Sequence, residues 1–241
     1  MKMEGMWFGY LTKSAHDSLS QYYEKSETWL ESAKKDDVSE KYKSNKIAAK
    51  EHSLTKDEEY SEWDIKMQDH DITYEMFFTN YFRYSMVVLS ALILEDHLQR
   101  FCNALYKLKG NIKKPPKPIG NIIKSYKEYI DAFNLSYDQS VWDFTEDFNH
   151  IRNCIVHASG DVSRRGKQEQ ACLKVIEGKN TGIHIGRRKS GYKLTPLYLD
   201  DDMIIIEPQY CKLIILNIKI LFDVLNKAAN IPTEITIEFN K

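Results

Sequence analysis

The sequence predicts an all-α protein: a helical bundle with a small β-hairpin insertion before its last core helix and extra helices at the N-terminus. Two observations predict the bundle. Apolar residues recur every three to five positions from about residue 72 to 105, and every three or four positions from about 138 to 158. A third observation predicts the hairpin and the closing helix: short strand-like segments between 180 and 207 precede a stretch rich in Leu and Ile.

The composition is typical of a soluble protein with a substantial core. The 241 residues are 42% hydrophobic and 29% charged, and the formal net charge is −1. The most apolar run, residues 86–94, has roughly half of the length that a membrane span needs. The four cysteines form no Cys-x-x-Cys pair, which disfavours a zinc knuckle or a redox motif. We therefore expect a cytoplasmic protein that contacts no membrane and keeps its thiols reduced.

Residues 1–72 are expected to form an N-terminal extension of two or three helices. This segment is heavily polar, and aromatic side chains supply most of its apolar contacts. Thr55 followed three residues later by Glu58 predicts a capping box, in which each side chain bonds the backbone N–H of the other residue at a helix start.

The predicted bundle occupies residues 73–230. Its first helix is expected to be long and substantially buried, with apolar positions at Phe78, Phe82, Met86, Leu89, Ile93, Leu98, Phe101 and Leu105. Proline and glycine residues between 109 and 120 predict a loop. Helices then follow from about 120 to 133 and from about 138 to 158, and Gly160 suits the left-handed cap that ends the second of them.

The period of the pattern changes after this helix. Residues 182–186, 192–194 and 203–206 predict short strands, which form a basic β insertion at 180–207. Pro208 predicts the start of the final helix, which runs to about Ala229. Residues 231–241 are expected to form a C-terminal tail or a short strand.

One face of the predicted helix 138–158 carries side chains suited to acid–base chemistry. Glu146, His150, Asn153 and His157 follow one another at steps of four, three and four residues, so they line one side of that helix. Arg152 flanks this polar stripe. Arg152 and His157 stand about 140° apart around an ideal helix, so they would serve one groove from its two sides. This helix end is therefore the candidate site.

The segment from Arg152 to His157, Arg-Asn-Cys-Ile-Val-His, resembles the Arg-x(4–6)-His signature of HEPN domains, including the polar residue after the arginine. The long preceding helix around residues 81–98 is similar to the first core helix of that family. The order of long helix, second helix, motif helix, insertion and apolar final helix is also similar. The resemblance covers roughly residues 74–228 and leaves the N-terminal third unexplained.

The resemblance implies a metal-independent endoribonuclease that acts as a homodimer and needs no cofactor. His157 would exchange a proton with the ribose 2′-hydroxyl or the leaving oxygen, and Arg152 would stabilise charge on the phosphorane-like transition state. Asn153 would orient His157 or the phosphate. The product would carry a 2′,3′-cyclic phosphate. Family membership would also suggest a toxin or an anti-phage defence effector, with an antitoxin or other regulatory protein as its partner.

Two basic segments are candidates for holding the RNA backbone. Residues 106–127 contain seven lysines and no acidic residue, and residues 160–193 contain nine basic and three acidic residues. Such patches attract phosphate, and we expect the contacts to come from Lys113, Lys114, Arg187 and Arg188. A charge run is also typical of an ordinary solvated surface, so both interpretations stay open.

A catalytically inactive HEPN module is the main alternative hypothesis. Such a module would mediate dimerisation and bind nucleotide or RNA, and Arg152 and His157 would then cap the helix or form salt bridges. Burial of these two residues, or their pairing with carboxylates of the same chain, would favour this alternative.

A metal-binding helical bundle is a further alternative, with ligands drawn from Glu146, His150, His157 and either Glu95 or His97. The sequence lacks the paired Glu-x-x-His motifs of di-iron bundles. It also lacks a glycine-rich phosphate-binding loop and a Ser or Cys nucleophile in a recognisable setting, which disfavours NTPases and nucleophilic hydrolases.

Overall fold

The computed structural model describes residues 2–109, 114–116, 122–163, 166–178, 182–187 and 202–231, without the side chains of residues 2–10, 75, 76, 109, 122 and 187. This part of the chain is mostly helical, with a small two-stranded antiparallel sheet, as the sequence predicts. The elements in order are α1 Lys2–Glu51, α2 Lys56–His70, a π-helical segment Asp71–Phe78, α3 Thr79–Lys109, α4 Ile122–Asp131, α5 Val141–Ala158, α6 Lys167–Gly178, β1 Ile183–Arg187, β2 Asp202–Ile206 and α7 Pro208–Ala229.

Helix α1 has 50 residues and is therefore about 75 Å long. Its first half packs against α3 and α7, where Leu19 and Tyr23 join the main hydrophobic core. The Tyr23 hydroxyl also donates a hydrogen bond to the carbonyl of Pro208, at 2.9 Å. The N-terminal helix thus contributes directly to the core of the bundle.

The second half of α1 runs beside α2, and polar contacts join the two helices. The His70 ring lies 2.7 Å from the Asp37 carboxylate, and Lys46 pairs with Glu59. The predicted capping box starts α2: the Glu58 carboxylate accepts from the Thr55 N–H at 2.8 Å, and the Thr55 hydroxyl accepts from the Glu58 N–H. This confirms the predicted helix start.

The π-helical segment joins α2 and α3 into one continuous helix. This helix, residues 56–108, is long enough to cross a membrane and contains a window of 18 residues that is apolar enough to do so. Half of the apolar window is buried inside the protein, and core helices of soluble proteins have the same composition. Helix α3 buries Met86, Leu98, Phe101 and Leu105 as predicted, whereas Leu89 of α3 and Phe78 of the π-helical segment are exposed.

This exception has a geometrical reason. The buried positions of α3 are residues 83, 84, 86, 87, 90, 91, 94, 97, 98, 101, 102 and 105, which lie on one side of the helix. Leu89 follows Met86 by three residues, which is a helical spacing. Met86 lies at the edge of the buried side, however, and Leu89 lies about 60° beyond that edge. Periodicity alone did not separate these two sides.

The core lies between α3, α4, α5 and α7. Its largest fully buried side chains are aromatic, and they include Trp142, Tyr126, Tyr210, Phe101, Phe148 and Phe222. Burial of the Trp142 ring leaves its indole N–H in need of an acceptor, and the Tyr137 hydroxyl accepts it at 3.1 Å. Full burial of these rings positions α5 firmly against its neighbours.

The two strands pair antiparallel, with Ile183 opposite Ile206 and Arg187 opposite Asp202. The second edge of β2 is occupied partly by the segment after α5, through a bridge between Asp161 and Met203, and partly by side chains of α3. The Asn80 amide donates to the carbonyl of Ile204 at 3.0 Å, and Arg83 donates to the carbonyl of Ile206 at 2.9 Å. Helix side chains thus satisfy carbonyl groups of β2 that this short bridge leaves unbonded.

The sequence missed one helix and predicted two strands that the structure does not test. Helix α6 was not predicted, although apolar residues 172, 173, 175 and 176 mark its inner face. The strand predicted at 192–194 and the tail or strand at 231–241 lie outside the described residues, apart from Ile231. The predicted strands near 183 and 203 and the helix start at Pro208 are present.

Candidate active site

Helix α5 ends with two consecutive left-handed residues. Ser159 has φ +52° and Gly160 has φ +77°. At Gly160 the backbone also approaches the Tyr84 ring so closely that a Cβ atom would lie 2.0 Å from the tyrosine oxygen. The glycine predicted to cap this helix is therefore required both by its backbone conformation and by the space beside α3.

The chain after Gly160 is anchored to β2, which fixes the end of the motif helix. The Ile204 N–H donates to the Gly160 carbonyl, and the Val162 N–H donates to the Asp202 carbonyl, both at 2.9 Å. The Tyr84 hydroxyl donates to the Ile204 carbonyl at 2.6 Å. The last turn of α5 is thus held between α3 and the small sheet.

The predicted polar stripe lies on the outer face of α5. Glu146, His150 and His157 are exposed, and Asn153 is half-buried. The Glu146 carboxylate pairs with Lys127 of α4 at 3.1 Å. His157 lies in the last helical turn, and because its side chain is exposed, the imidazole is accessible from solvent.

Arg152 is half-buried and interacts with its own chain. Its Nη1 donates to the Asn153 side-chain oxygen at 3.0 Å, and its Nη2 lies 3.9 Å from the Glu95 carboxylate. A separation of 3.9 Å is too long for a hydrogen bond, so the attraction to Glu95 is electrostatic. The buried Nε has no hydrogen-bond partner among the described residues. The guanidinium therefore has one N–H donor without an acceptor inside the described part of the protein.

Helices α3 and α5 run antiparallel beside this site, because Tyr84 meets Gly160 while Glu95 meets Arg152. Leu92 precedes Glu95 by three residues, and Val156 follows Arg152 by four, so both flank the ion pair. Leu89, Leu92 and Val156 are 37%, 53% and 44% exposed. We call these three residues the apolar strip. The sequence pattern missed it because it assigned Leu89 to the core.

The four residues expected to hold RNA are only partly placed by the structure. Lys114 is exposed in an irregular segment. Arg187 is the last residue of β1, and its side chain is not described. Lys113 and Arg188 lie outside the described residues. The structure therefore neither gathers these residues at the motif nor separates them from it.

The residues of the metal alternative do not converge. His97 is 5% exposed and packs in the core against His16 and Phe222, whereas His157 is exposed. Across the part of the chain that the structure describes, no cluster of three or more His, Cys, Asp or Glu side chains could hold a metal ion. Glu95 contacts Arg152 instead.

The motif helix also contains a buried thiol whose partner the sequence did not reveal. Cys154, two residues after Arg152, is fully buried, and its thiol donates to the carbonyl oxygen of Asp161 at 3.9 Å.

Comparison with known proteins adds no relative. No protein-family model matches the chain, and no curated protein or solved structure matches it.

Proposed function

We propose that the chain is a metal-independent endoribonuclease of the HEPN type, with Arg152, Asn153 and His157 as its catalytic residues. The observation that carries the proposal is their placement: an exposed imidazole ends the motif helix, and a guanidinium with an unused buried donor lies one to two turns before it. The order of long helix α3, motif helix α5, small sheet and apolar helix α7 supports the family assignment, which rests on the sequence resemblance.

The chemistry would divide between these side chains. His157 would accept the proton of the ribose 2′-hydroxyl or donate one to the leaving 5′-oxygen, because an imidazole ring can accept a proton on one nitrogen and donate one from the other. Arg152 would donate hydrogen bonds to the phosphate oxygens as negative charge develops on them. Asn153 already accepts from Arg152 and would hold its guanidinium in place. No step requires a metal ion or a cofactor.

The proposal includes a homodimer. Arg152 and His157 approach a shared groove only from two sides of one helix, so a second copy would bring the complementary pair into the same cleft. The apolar strip borders the motif, and burying it against its counterpart would remove exposed apolar surface from water. In the cell, we propose a cytoplasmic toxin or anti-phage effector that acts on RNA and is restrained by an antitoxin or other regulatory protein.

The contact between Arg152 and Glu95 favours one alternative. A guanidinium that pairs with a carboxylate of its own chain suits a structural role, and the protein would then be an inactive HEPN module for dimerisation and for nucleotide or RNA binding. The two functions differ in one respect: the alternative requires binding without cleavage.

The test is cleavage of total RNA by purified protein in EDTA, with the variants Arg152→Ala and His157→Ala. His150→Ala is a matched control, because His150 is also exposed on α5 but lies outside the motif. We expect the wild type and His150→Ala to leave 2′,3′-cyclic phosphate ends. Each motif variant should lose at least about a hundredfold in rate.

Folding and assembly are measured on the same samples, by circular dichroism and by light scattering after gel filtration. If folded wild-type protein binds RNA and cleaves none, the inactive module is correct. A Leu92→Asp variant tests the dimer separately: it should be monomeric and inactive, whereas equal dimerisation of this variant and the wild type would rule out the apolar strip as the interface.

A further inference from the structure

We propose that a second copy of this chain packs antiparallel on the outer side of α3, about a two-fold axis that passes between the Ser85 residues of the two copies. This axis gives the homodimer of the proposed function a defined register. The part that the interface plays in catalysis rests on the proposed ribonuclease function, whereas the interface itself does not.

The side of α3 that faces away from the core carries an exposed apolar row. It begins at the last residue of the π-helical segment and consists of Phe78, Tyr81, Ser85, Leu89 and Leu92, which we call the α3 outer face. All five residues lie within about 40° of Ser85 around the helix, opposite the centre of the buried side. The four apolar side chains are 37% to 53% exposed. A contiguous apolar surface of this kind marks an interaction site.

The α3 outer face is symmetric in its spacing about Ser85. Phe78 and Leu92 lie seven residues on either side of Ser85, and Tyr81 and Leu89 lie four residues on either side. When two copies of a helix pack antiparallel about a two-fold axis, a residue before the axis meets the residue at the same distance after it. Each aromatic ring would therefore pack against a leucine of the second copy. The face is thus complementary to itself, as an interface between identical chains requires.

Ser85 suits the centre of such an interface. Its small side chain allows the two helices to approach within the usual interaxial distance of about 8–10 Å. Its hydroxyl donates to the carbonyl of Phe82 at 2.6 Å, within its own helix. Exclusion of water from this hydroxyl therefore leaves no donor unbonded, so burial of Ser85 carries little energetic cost.

The exposed apolar area is sufficient for a dimer of the smaller size class. Together with Val156 of α5, the apolar residues of the α3 outer face expose on the order of 500 Å² in each copy. Two copies would bury about 1,000 Å², which is near the lower limit for a specific interface. Beyond Leu92 the surface becomes polar, and Asp96 pairs there with Arg100 at 2.7 Å. We therefore expect a dimer with an apolar centre and a polar rim that dissociates on dilution.

The same axis would bring the two motif helices to one cleft. Tyr84 and Glu95, which contact α5, lie about 80–100° around α3 from Ser85, both in the same direction. A two-fold axis that lies in the interface, perpendicular to the helices, keeps both copies of α5 on that side of the pair. Because Gly160 meets Tyr84, His157 lies within about one helical turn of the level of Ser85. The two His157 residues would thus lie near the axis, on the same side of the dimer.

The experiment tests the register by disulfide cross-linking of the full-length protein, read on non-reducing gels. With the helices about 8–10 Å apart, the two Cα atoms of residue 85 would lie about 4–5 Å apart, within reach of a disulfide. We expect Ser85→Cys to form a covalent dimer on oxidation, which dithiothreitol separates. Gln99→Cys is the matched control: it is exposed on the same side of α3 but would lie about 40 Å from its counterpart. The four native cysteines are buried and should not link.

A second variant tests the interface without a cross-link. Ser85→Glu would place two like charges at the axis, so its dissociation constant in analytical ultracentrifugation should rise at least about tenfold. Since Ser85 is exposed within one copy, this variant should keep the circular dichroism spectrum of the wild type. Gln99→Glu should keep the wild-type dissociation constant. RNA cleavage by Ser85→Glu should fall in proportion to the dimer that is lost.

Three results would overturn the proposal: a wild type that is monomeric at every concentration, a dimer whose Ser85→Cys variant does not link, or equal linking of Ser85→Cys and Gln99→Cys. A monomer that binds phosphatidylcholine–phosphatidylglycerol vesicles, and loses this binding in Ser85→Glu, would assign the α3 outer face to a lipid surface instead. A dimer that links through residue 85 but cleaves no RNA refutes the ribonuclease function alone, because the cross-link is read independently of activity.

Discussion

Acid should destabilise this protein through two histidines buried between α1, α3 and α7. His16 and His97 are 3% and 5% exposed, and their rings meet edge to face at 5.4 Å. Both rings pack against Phe222, and the His16 Nε2 and His97 Nδ1 atoms have no hydrogen-bond partner in the described part of the chain. A proton added to either ring would be buried without an acceptor.

Burial lowers the pKa of His16 from 6.5 to about 4 and also lowers the pKa of His97. The charged neighbours partly oppose one another: His97 and Lys219 lower the pKa of His16 and Asp17 raises it. Asp96 and Arg100 act on His97 in opposite directions. Desolvation is the largest cause for both histidines.

The sign follows from proton binding. Between pH 6.5 and 4 the unfolded chain carries a proton on His16 that the folded protein excludes, so the free energy of unfolding falls as the pH falls. The stabilisation is fully present above about pH 6.5. Between pH 7.5 and 5, His16 alone accounts for a loss of about 2 kcal/mol, and His97 adds to it in the same direction.

The assay is urea unfolding followed by circular dichroism at pH 7.5, 6.5, 5.5 and 5.0. In His16→Leu the decrease between pH 7.5 and 5.0 should be smaller by about 2 kcal/mol, because leucine fills the site and does not titrate. His52→Leu is the control, since His52 is exposed in the turn that follows α1. Equal pH dependence in the wild type and His16→Leu would refute the reasoning, and His97→Phe repeats the test if His16→Leu does not fold.

Two further substitutions test the anchoring of the motif helix. Gly160→Ala should lower the free energy of unfolding by about 2–4 kcal/mol in urea titrations, because the added Cβ would overlap the Tyr84 ring and the backbone φ at residue 160 is positive. Gly178→Ala is the control: an added Cβ there meets nothing within 4 Å, and the free energy of unfolding should change by less than about 1 kcal/mol. Arg83→Met should cost about 3 kcal/mol, because it leaves Glu27 and the Ile206 carbonyl without their donor. An unchanged urea midpoint in either Gly160→Ala or Arg83→Met would contradict the anchoring described above.

The helices of the bundle were largely predictable because each buries one face at a helical period. Residues 148, 151 and 155 repeat at steps of three and four, and α5 forms as expected. Local chemistry was predictable where neighbours in sequence make the contact. The capping box at Thr55 and the glycine after α5 are both examples.

Contacts between distant residues were not predictable. The pairing of Arg152 with Glu95 joins residues 57 positions apart, and nothing in the spacing of either selects the other. The His16–His97 contact depends on which residues of α1 and α3 face each other, and nothing in the sequence around either histidine specifies that pairing. Hydrophobic periodicity also left open which apolar residues face out, so the apolar strip emerged only from the helix packing.

The length of the π-helical segment fixes the angle, measured around the common helix axis, between the buried sides of α2 and α3. In an α-helix each residue turns the chain by about 100°, so deletion of one residue from Asp71–Phe78 would rotate α2 by about that angle relative to α3. The side of α2 that bonds α1 through His70 and Glu59 would then face solvent. Insertions and deletions in these eight residues therefore disturb the packing of α2 on α1, even though the segment contains none of the proposed catalytic residues. Substitutions that keep the length of the segment leave the angle between α2 and α3 unchanged.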